Sequence, residues 1–238
     1  MEKINKKDQK LVFSAEISES LANSIRRYIY HIPVLAIDEV DISKNDSPLY
    51  DETIAHRIGL VPIKTNKSTK KEYEVELKVK AEQQKTIYSG DIKGDVEVVY
   101  ENIPLTILNK GKELEIKGIV RAGRGAEHSK FSPGLMFYRK ECDIKMNKDF
   151  LEEVKRICPD ANIEEKGQNI IIHDNGEREV CDVCEGLADK KGDKAEVTEK
   201  DNLIISLESF GQLPVESLFK DSIKNLKQDL EKVSKELK

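Results

Sequence analysis

Pro33 separates two apolar patterns that cannot belong to one element, and this break constrains the chain more than any other feature. Before it, apolar residues fall at Leu21, Ile25, Tyr28, Ile29 and Ile32, the spacing of one helical face, while Asn23, Arg26 and Arg27 point elsewhere. Proline lacks an amide proton and its ring disfavours the helical conformation in the residue before it, so a helix ends here. After it, Val34 to Ile37 is apolar at every position and gives way to Asp38, Glu39, Val40, Asp41 and Ile42. That pattern predicts a strand buried on both faces at its start and wet at its end. Lys44 to Pro48 carries turn chemistry. A short helix is expected next, capped by Asp51, with Ile54, Ala55 and Ile58 inward and Gly59 closing it in a left-handed conformation before Pro62.

Upstream, Leu11, Phe13, Ala15 and Ile17 alternate on one face and predict a strand feeding that first helix. The domain they open is not finished locally. Strand patterns recur at Tyr73 to Val79, Thr86 to Ser89, Val96 to Tyr100, Ile103 to Leu108 and Leu114 to Val120, which predicts a mostly β second domain. Arg121 to Pro133 holds two glycines, three basic residues and His128, but at no phosphate-loop spacing. Gly134 to Ile144 reads as a strand and Lys148 to Ile157 as a helix, with Phe150, Leu151, Val154 and Ile157 inward and Cys158 and Pro159 stopping it. A hairpin is expected around Ile170 to His173, turning at Asp174, Asn175 and Gly176, and Asp189 to Asp193 reads as a charged linker. Leu203 to Leu207 is a strand pattern. A helix then runs to the end, with Pro214 expected at its first position. From Phe219 its apolar residues, Ile223, Leu226, Leu230, Val233 and Leu237, alternate four and three apart, as in a helical seam. Such a ridge needs a partner.

The chain has 238 residues, of which 38% are hydrophobic, enough for a real core. Its 45 acidic residues against 40 basic ones leave nothing in the net charge to recruit nucleic acid, so direct DNA binding is not expected. No apolar run approaches the roughly 20 residues of a membrane span, and the N-terminus lacks the apolar core of a signal peptide. A cytoplasmic location follows as the expectation. No catalytic residues are assigned: the acidic pairs Asp38, Glu39 and Asp51, Glu52 do not form the carboxylate cluster of a two-metal site, and His31, His56, His128 and His173 lie scattered. The cysteines leave alternatives open. Cys181 and Cys184 have the spacing that puts two thiolates on one metal, and Cys158 before Pro159 supplies a third. The next position at that spacing is Leu187, which cannot ligate, and Cys142 falls in a strand assigned to another domain. No cofactor is the expectation, with an iron–sulfur cluster or zinc on Cys158, Cys181 and Cys184 as the alternatives.

The run LANSIRRYIYHIPVLAIDEVDI, followed by LYDETIAHRIGLVPIKT, resembles the D family of archaeal DNA-directed RNA polymerase subunits, relatives of the bacterial alpha subunit's N-terminal domain and of the eukaryotic third-largest subunits. The likeness is close at residues 20–65 and 205–225 and loose between 70 and 120. It implies an α+β fold: a discontinuous dimerisation domain at 1–45 and 195–238, a mostly β domain at 46–146, and a small ferredoxin-like insert at 147–194. Cluster-bearing members of that family extend the cysteine motif to C-x-x-C-x-x-C. The resemblance further implies a non-catalytic assembly platform in a nucleotidyltransferase enzyme. Leu21, Ile25, Ile29, Phe219, Ile223, Leu226, Leu230 and Val233 would meet the small subunit L, and Arg26 and Arg27 the second-largest subunit. The small subunits N and P are further expected partners, and the loop bearing His128, Lys130 and Pro133 would face other subunits. The reading from a different class, a free-standing iron–sulfur or zinc protein, rests on C-x-x-C alone and leaves residues 20–65 unexplained.

Overall fold

A computed structural model of the chain describes residues 2–7, 9–65, 72–159, 161–174, 176 and 180–237. In order, its elements are β1 (Glu2–Lys7), β2 (Lys10–Ala15), α1 (Glu19–Tyr28), β3 (Val34–Asn45), α2 (Asp51–Gly59), β4 (Glu72–Lys80), β5 (Lys85–Tyr88), β6 (Lys93–Gly94), β7 (Pro104–Leu108) and β8 (Glu113–Gly123). There follow β9 (Gly134–Asn147), α3 (Leu151–Ile157), β10 (Asn162–Lys166), β11 (Asn169–His173), α4 (Val180–Lys190), β12 (Glu196–Ser209) and α5 (Val215–Glu236). The described strand registers are antiparallel, with helices set apart from them, which is the α+β class expected.

Contacts gather the chain into two compact units: residues up to Ser24 with Met136–Glu208, and Ile25–Leu135 with Ser209–Lys238. The first unit holds a six-stranded sheet in the order β1-β2-β12-β9-β11-β10. The sheet opened by residues 2–15 is thus completed by strands nearly the whole chain away. In β2 the expected one-sided alternation gives way to burial on both faces: Val12 is as deep as Phe13, and Leu11 is only half-buried. A core of Ile144, Met146, Phe150, Val154, Ile170 and Ile172 fills the far half of this unit, under α3 and α4. The hairpin there differs from expectation. It joins β10 to β11 and turns at Gly167, whose φ of +62° suits a residue without a Cβ; Asn175, in the turn expected after His173, lies outside the described residues. The stretch read as a charged linker is the end of α4, closed at Gly192 with φ of +73°.

The second unit holds the sheet β3-β8-β4-β6 and the pair β5-β7. As expected, β3 is buried over Val34–Ile37 and half wet beyond. Leu35, Ile37, Ile54, Ile58, Val75, Leu77, Leu114 and Ile116 share one large core. Glu113 on β8 lies 2.6 Å from Lys44 of β3 and 2.7 Å from Lys80 of β4, and the two ammonium groups, Lys44 first, hold its carboxyl down to about 2. Three expectations are corrected here. Tyr50, in extended conformation, is the N-cap of α2, and Asp51 is its first residue, its Oδ1 accepting from Asn45 Nδ2 at 2.6 Å. Gly59 stays helical and Leu60 forms the C-cap at φ of −88°. Residues 96–100 join no sheet: Val98 makes an isolated bridge to Ile63 and Val99 N–H donates to the Pro62 carbonyl, so the segment pairs with an irregular stretch.

Because Ile54 has no exposed surface and sits at the centre of this core, Ile54→Ala should cost about 2–5 kcal/mol. Leu60→Ala, on a half-exposed side chain, should stay within about 0.5 kcal/mol. Urea denaturation of both variants checks the contrast.

Candidate functional site

The terminal helix α5 is built in two halves. Pro214 is its N-cap, at ψ of 140°, and not its first helical residue, and its carbonyl accepts from Ser217 N–H at 2.9 Å. Val215, Leu218 and Ser222 are buried, with Ser222 Oγ donating to the Phe219 carbonyl at 2.8 Å. Past that point the apolar ridge surfaces. Phe219 and Leu226 are half-buried, while Ile223 is 39%, Leu230 60%, Val233 53% and Leu237 83% exposed. Beside α5 lies the 3-10 turn Ile29–His31 that follows α1. Asn225 Nδ2 donates to the His31 carbonyl at 3.4 Å, and the Tyr28 ring stacks on His31 at 4.7 Å. The Tyr28 hydroxyl bonds to the Asp229 carboxylate, and burial first, then that carboxylate, raise its pKa.

The structure places the other residues named from sequence as follows. Ile25, Ile29 and Ile32 are core residues, Leu21 is 43% exposed, and Ala22, absent from the apolar count, is fully buried. Ala22, Ile25 and Ile29 are the inward face at spacings of three and four, which Leu21 leaves. Arg27 is exposed, and Arg26 is half-buried and engaged.

The loop after β8 is held from below. Asp38 lies 2.5 Å from Lys130 Nζ and 2.6 Å from Arg121 Nε, and Arg121 also reaches Glu127 at 3.2 Å. Lys130 first, then Arg121, hold the Asp38 carboxyl below its ordinary value against the burial that opposes them. Both cations stand over the buried Phe131 ring, at 4.8 Å for Arg121 and 5.2 Å for Lys130. A Cβ on Gly123 would lie 2.6 Å from that ring, so only glycine lets Phe131 seat there. His128 Nδ1 accepts from the Lys130 N–H at 3.1 Å. The sequence pattern marks Asp38 only as a strand end; its partners lie 83 and 92 residues away, beyond any local signal.

The cysteines converge more than expected. Cys142 on β9, Cys158 after α3 and Cys184 on α4 all lie in the core of the first unit, so Cys142 is corrected from a separate domain to this one. Cys142 is disulfide-bonded, and Cys158 and Cys184 are free thiols. Burial, then the neighbouring Cys158, push the Cys184 thiol up to about 12. Leu187 packs against the same core. The Cys181 side chain lies outside the described residues. Among the described residues, which leave out the Cys181 side chain, no three His, Cys, Asp or Glu side chains gather to hold a metal ion.

A groove of about 630 Å³ on the outer face of the β3-β8-β4 sheet is lined by Glu39, Asp41, Glu74, Glu76 and Asp95 against Lys117 alone. No helix among the described residues is long and apolar enough to cross a membrane.

DNA-directed RNA polymerase subunit Rpo3 of Methanosphaera stadtmanae is 33% identical to this chain over 87% of its residues and 87% of the relative's own length. The chain belongs to the Rpo3 family of archaeal RNA polymerase subunits. Rpo3 of Thermococcus kodakarensis is 32% identical over 91% of the chain and 88% of its own length, and that of Pyrococcus furiosus 29% over 98% and 95%. Within this Rpo3-family chain, residues 40–136 match the RNA polymerase Rpb3/RpoA insert domain. That span carries the acidic sheet face apart from Glu39, and the loop tied to Asp38.

Asp38→Asn should cost about 1–3 kcal/mol near neutral pH by leaving Lys130, only 14% exposed, without its anion. The folded-state pKa of Asp38 is lowered, so its contribution is full above the unfolded carboxylate pKa of about 3.9 and is lost as pH falls through the folded value. Thermal melts of wild type and variant should therefore differ at pH 7 and converge below about pH 4.

Proposed function

We propose that the chain is a non-catalytic assembly subunit of DNA-directed RNA polymerase. It pairs with the small subunit L along α5, and the pair docks the second-largest subunit and the small subunits N and P. The observation that carries this reading is the ridge Ile223, Leu230, Val233 and Leu237, one periodic apolar face left open along the end of the chain's longest helix. Each of these side chains is worth roughly 1.5–3 kcal/mol when fully buried, so covering the ridge supplies a substantial share of a stable pairing. Arg27 is exposed and suits a carboxylate of the second-largest subunit. The acidic sheet groove repels phosphate, which supports a role through proteins and not through direct DNA contact. The reading places the chain in the cytoplasm. No observation favours the free-standing iron–sulfur or zinc protein.

Co-expression with subunit L should give a soluble one-to-one heterodimer, whereas the chain alone should self-associate. Leu230→Asp with Val233→Asp, both on exposed positions, should leave the fold intact by circular dichroism and abolish pairing. Arg27→Ala should spare the heterodimer and weaken its capture of the second-largest subunit. Wild-type pairing by the double variant in size-exclusion chromatography would refute the seam.

The insert is proposed to fold without a cluster. Anaerobic purification followed by metal analysis should find no iron, and the spectrum should lack a band near about 400 nm. Three or four irons per chain, with absorption lost in Cys184→Ser, would overturn this.

A further inference from the structure

A second groove, of about 250 Å³, lies between α2 and the β5-β7 pair, lined by Leu49, Pro104, Leu105, Ile107, Thr106 and Arg57 among others. Small-molecule sites usually run from about 300 to 1,000 Å³, so this space suits one or two side chains of a polypeptide better than a cofactor. Ile107 at its rim is 45% exposed, and Tyr50, next to the lining residues Pro48 and Leu49, is 82% exposed. Two polar groups in the wall are not used up by the fold. Thr106 is 6% exposed, and its Oγ1 is shut off from solvent with no hydrogen-bond partner. One staggered χ1 turn moves that hydroxyl without moving the strand. Arg57 donates one Nη2 hydrogen bond, 2.5 Å long, to the Pro104 carbonyl, and among the described residues it pairs with no carboxylate. A guanidinium carries five N–H donors in a fork matched to a carboxylate.

We propose that this groove docks an apolar side chain flanked by an acidic residue, on a polypeptide segment of a partner subunit. The inference rests on the assembly reading above and goes beyond it by naming a surface and its ligand chemistry. The apolar side chain fills the space between Leu49, Pro104 and Ile107. The neighbouring carboxylate takes the unused Arg57 donors, and a backbone or side-chain polar group of the segment satisfies Thr106. Charge decides the partner's character: a basic segment would bring a like charge to Arg57 in a small, largely apolar space.

The test is polymerase reconstituted from its purified subunits with a photo-crosslinking p-benzoylphenylalanine at Ile107, a position exposed enough to accept it. Incorporation of the chain into the enzyme tests the assembly reading separately. With the chain incorporated, the expected result is a crosslink to a stretch of one polymerase subunit in which an apolar residue lies beside Asp or Glu. A crosslink to a basic stretch, to nucleic acid or to a second copy of this chain overturns the proposal, as does no crosslink at all. Arg57→Glu should weaken the heterodimer's affinity for the crosslinked subunit by about tenfold or more, and Lys at the identified acidic position should restore it. Thr106→Val should lower that affinity roughly two- to tenfold while leaving the heterodimer's melting temperature unchanged or raised, because it removes an unsatisfied buried hydroxyl. Unchanged affinity in both variants also overturns the proposal.

Discussion

The short run Val34–Ile37 packs into two hydrophobic clusters at once, and the second unit depends on that double packing. Leu35 and Ile37 enter the large core with Ile54, Ile58 and Leu114, while Val34 and Ala36 meet Phe131 and Leu213 on the other face. Strand geometry sends successive side chains to opposite faces, so an all-apolar run is required wherever both faces are covered. The same strand lies at the edge of its sheet, and an edge leaves backbone groups to satisfy. Side chains do this at Leu35: Thr65 Oγ1 accepts from its N–H at 3.0 Å, and Gln212 Nε2 approaches its carbonyl at 3.5 Å. Thr65 N–H in turn donates to the Gln212 carbonyl at 2.9 Å. The turn just before α5 is thereby fixed to the start of β3, although 177 residues separate Gln212 from Leu35.

Charge serves placement in this chain. Asp38 stands where β3 leaves the core, and its pairing with Lys130 and Arg121 anchors a loop that glycine at 123 allows to fold back over β8. In the first unit, Lys200 lies 2.9 Å from both Glu141 and Asp143, and His173 lies 2.9 Å from Asp143. These partly exposed networks span neighbouring strands and position β9, β11 and β12 relative to one another more than they stabilise the whole. Arg139 pairs with the almost fully buried Asp174, so the carboxylate there is compensated and not held in reserve for chemistry.

What the sequence made legible was the part of the structure governed by short-range periodicity. The end of α1 before Pro33, the two-faced start of β3, the alternating β4 and β8 and the inward face of α3 all follow from residues within a few positions of one another. The failures have one cause, which is that tertiary context decides between local alternatives. Gly59 has no need of a left-handed conformation because the helix can close on Leu60. Val96 to Tyr100 has strand composition but faces only the irregular stretch at Pro62 and Ile63. Cys142 looked remote from Cys158 and Cys184 because sequence distance hides that β9 and β11 are adjacent strands of one sheet. At the candidate surfaces, the seam was readable as a spacing of four and three, whereas Thr106 and Arg57 carry no local mark.

Periodicity alone could not say which part of that seam is free, and burial alone could not say that the exposed residues belong together. Single exposed apolar side chains such as Phe137 and Leu60 are ordinary on a protein surface. The residues along α5 differ because they recur on one face of one rigid element. At 1.5 Å per residue its 22 residues extend about 33 Å, yet its buried residues, Val215, Leu218 and Ser222, all lie between 215 and 222. A helix whose remaining length served only its own chain would gain nothing from keeping Ile223, Leu230 and Val233 apolar, since exposed helix positions are filled at least as well by Lys, Glu or Gln. The apolar spacing persists where the described residues offer no cover, and that mismatch between pattern and burial is what the proposed pairing rests on.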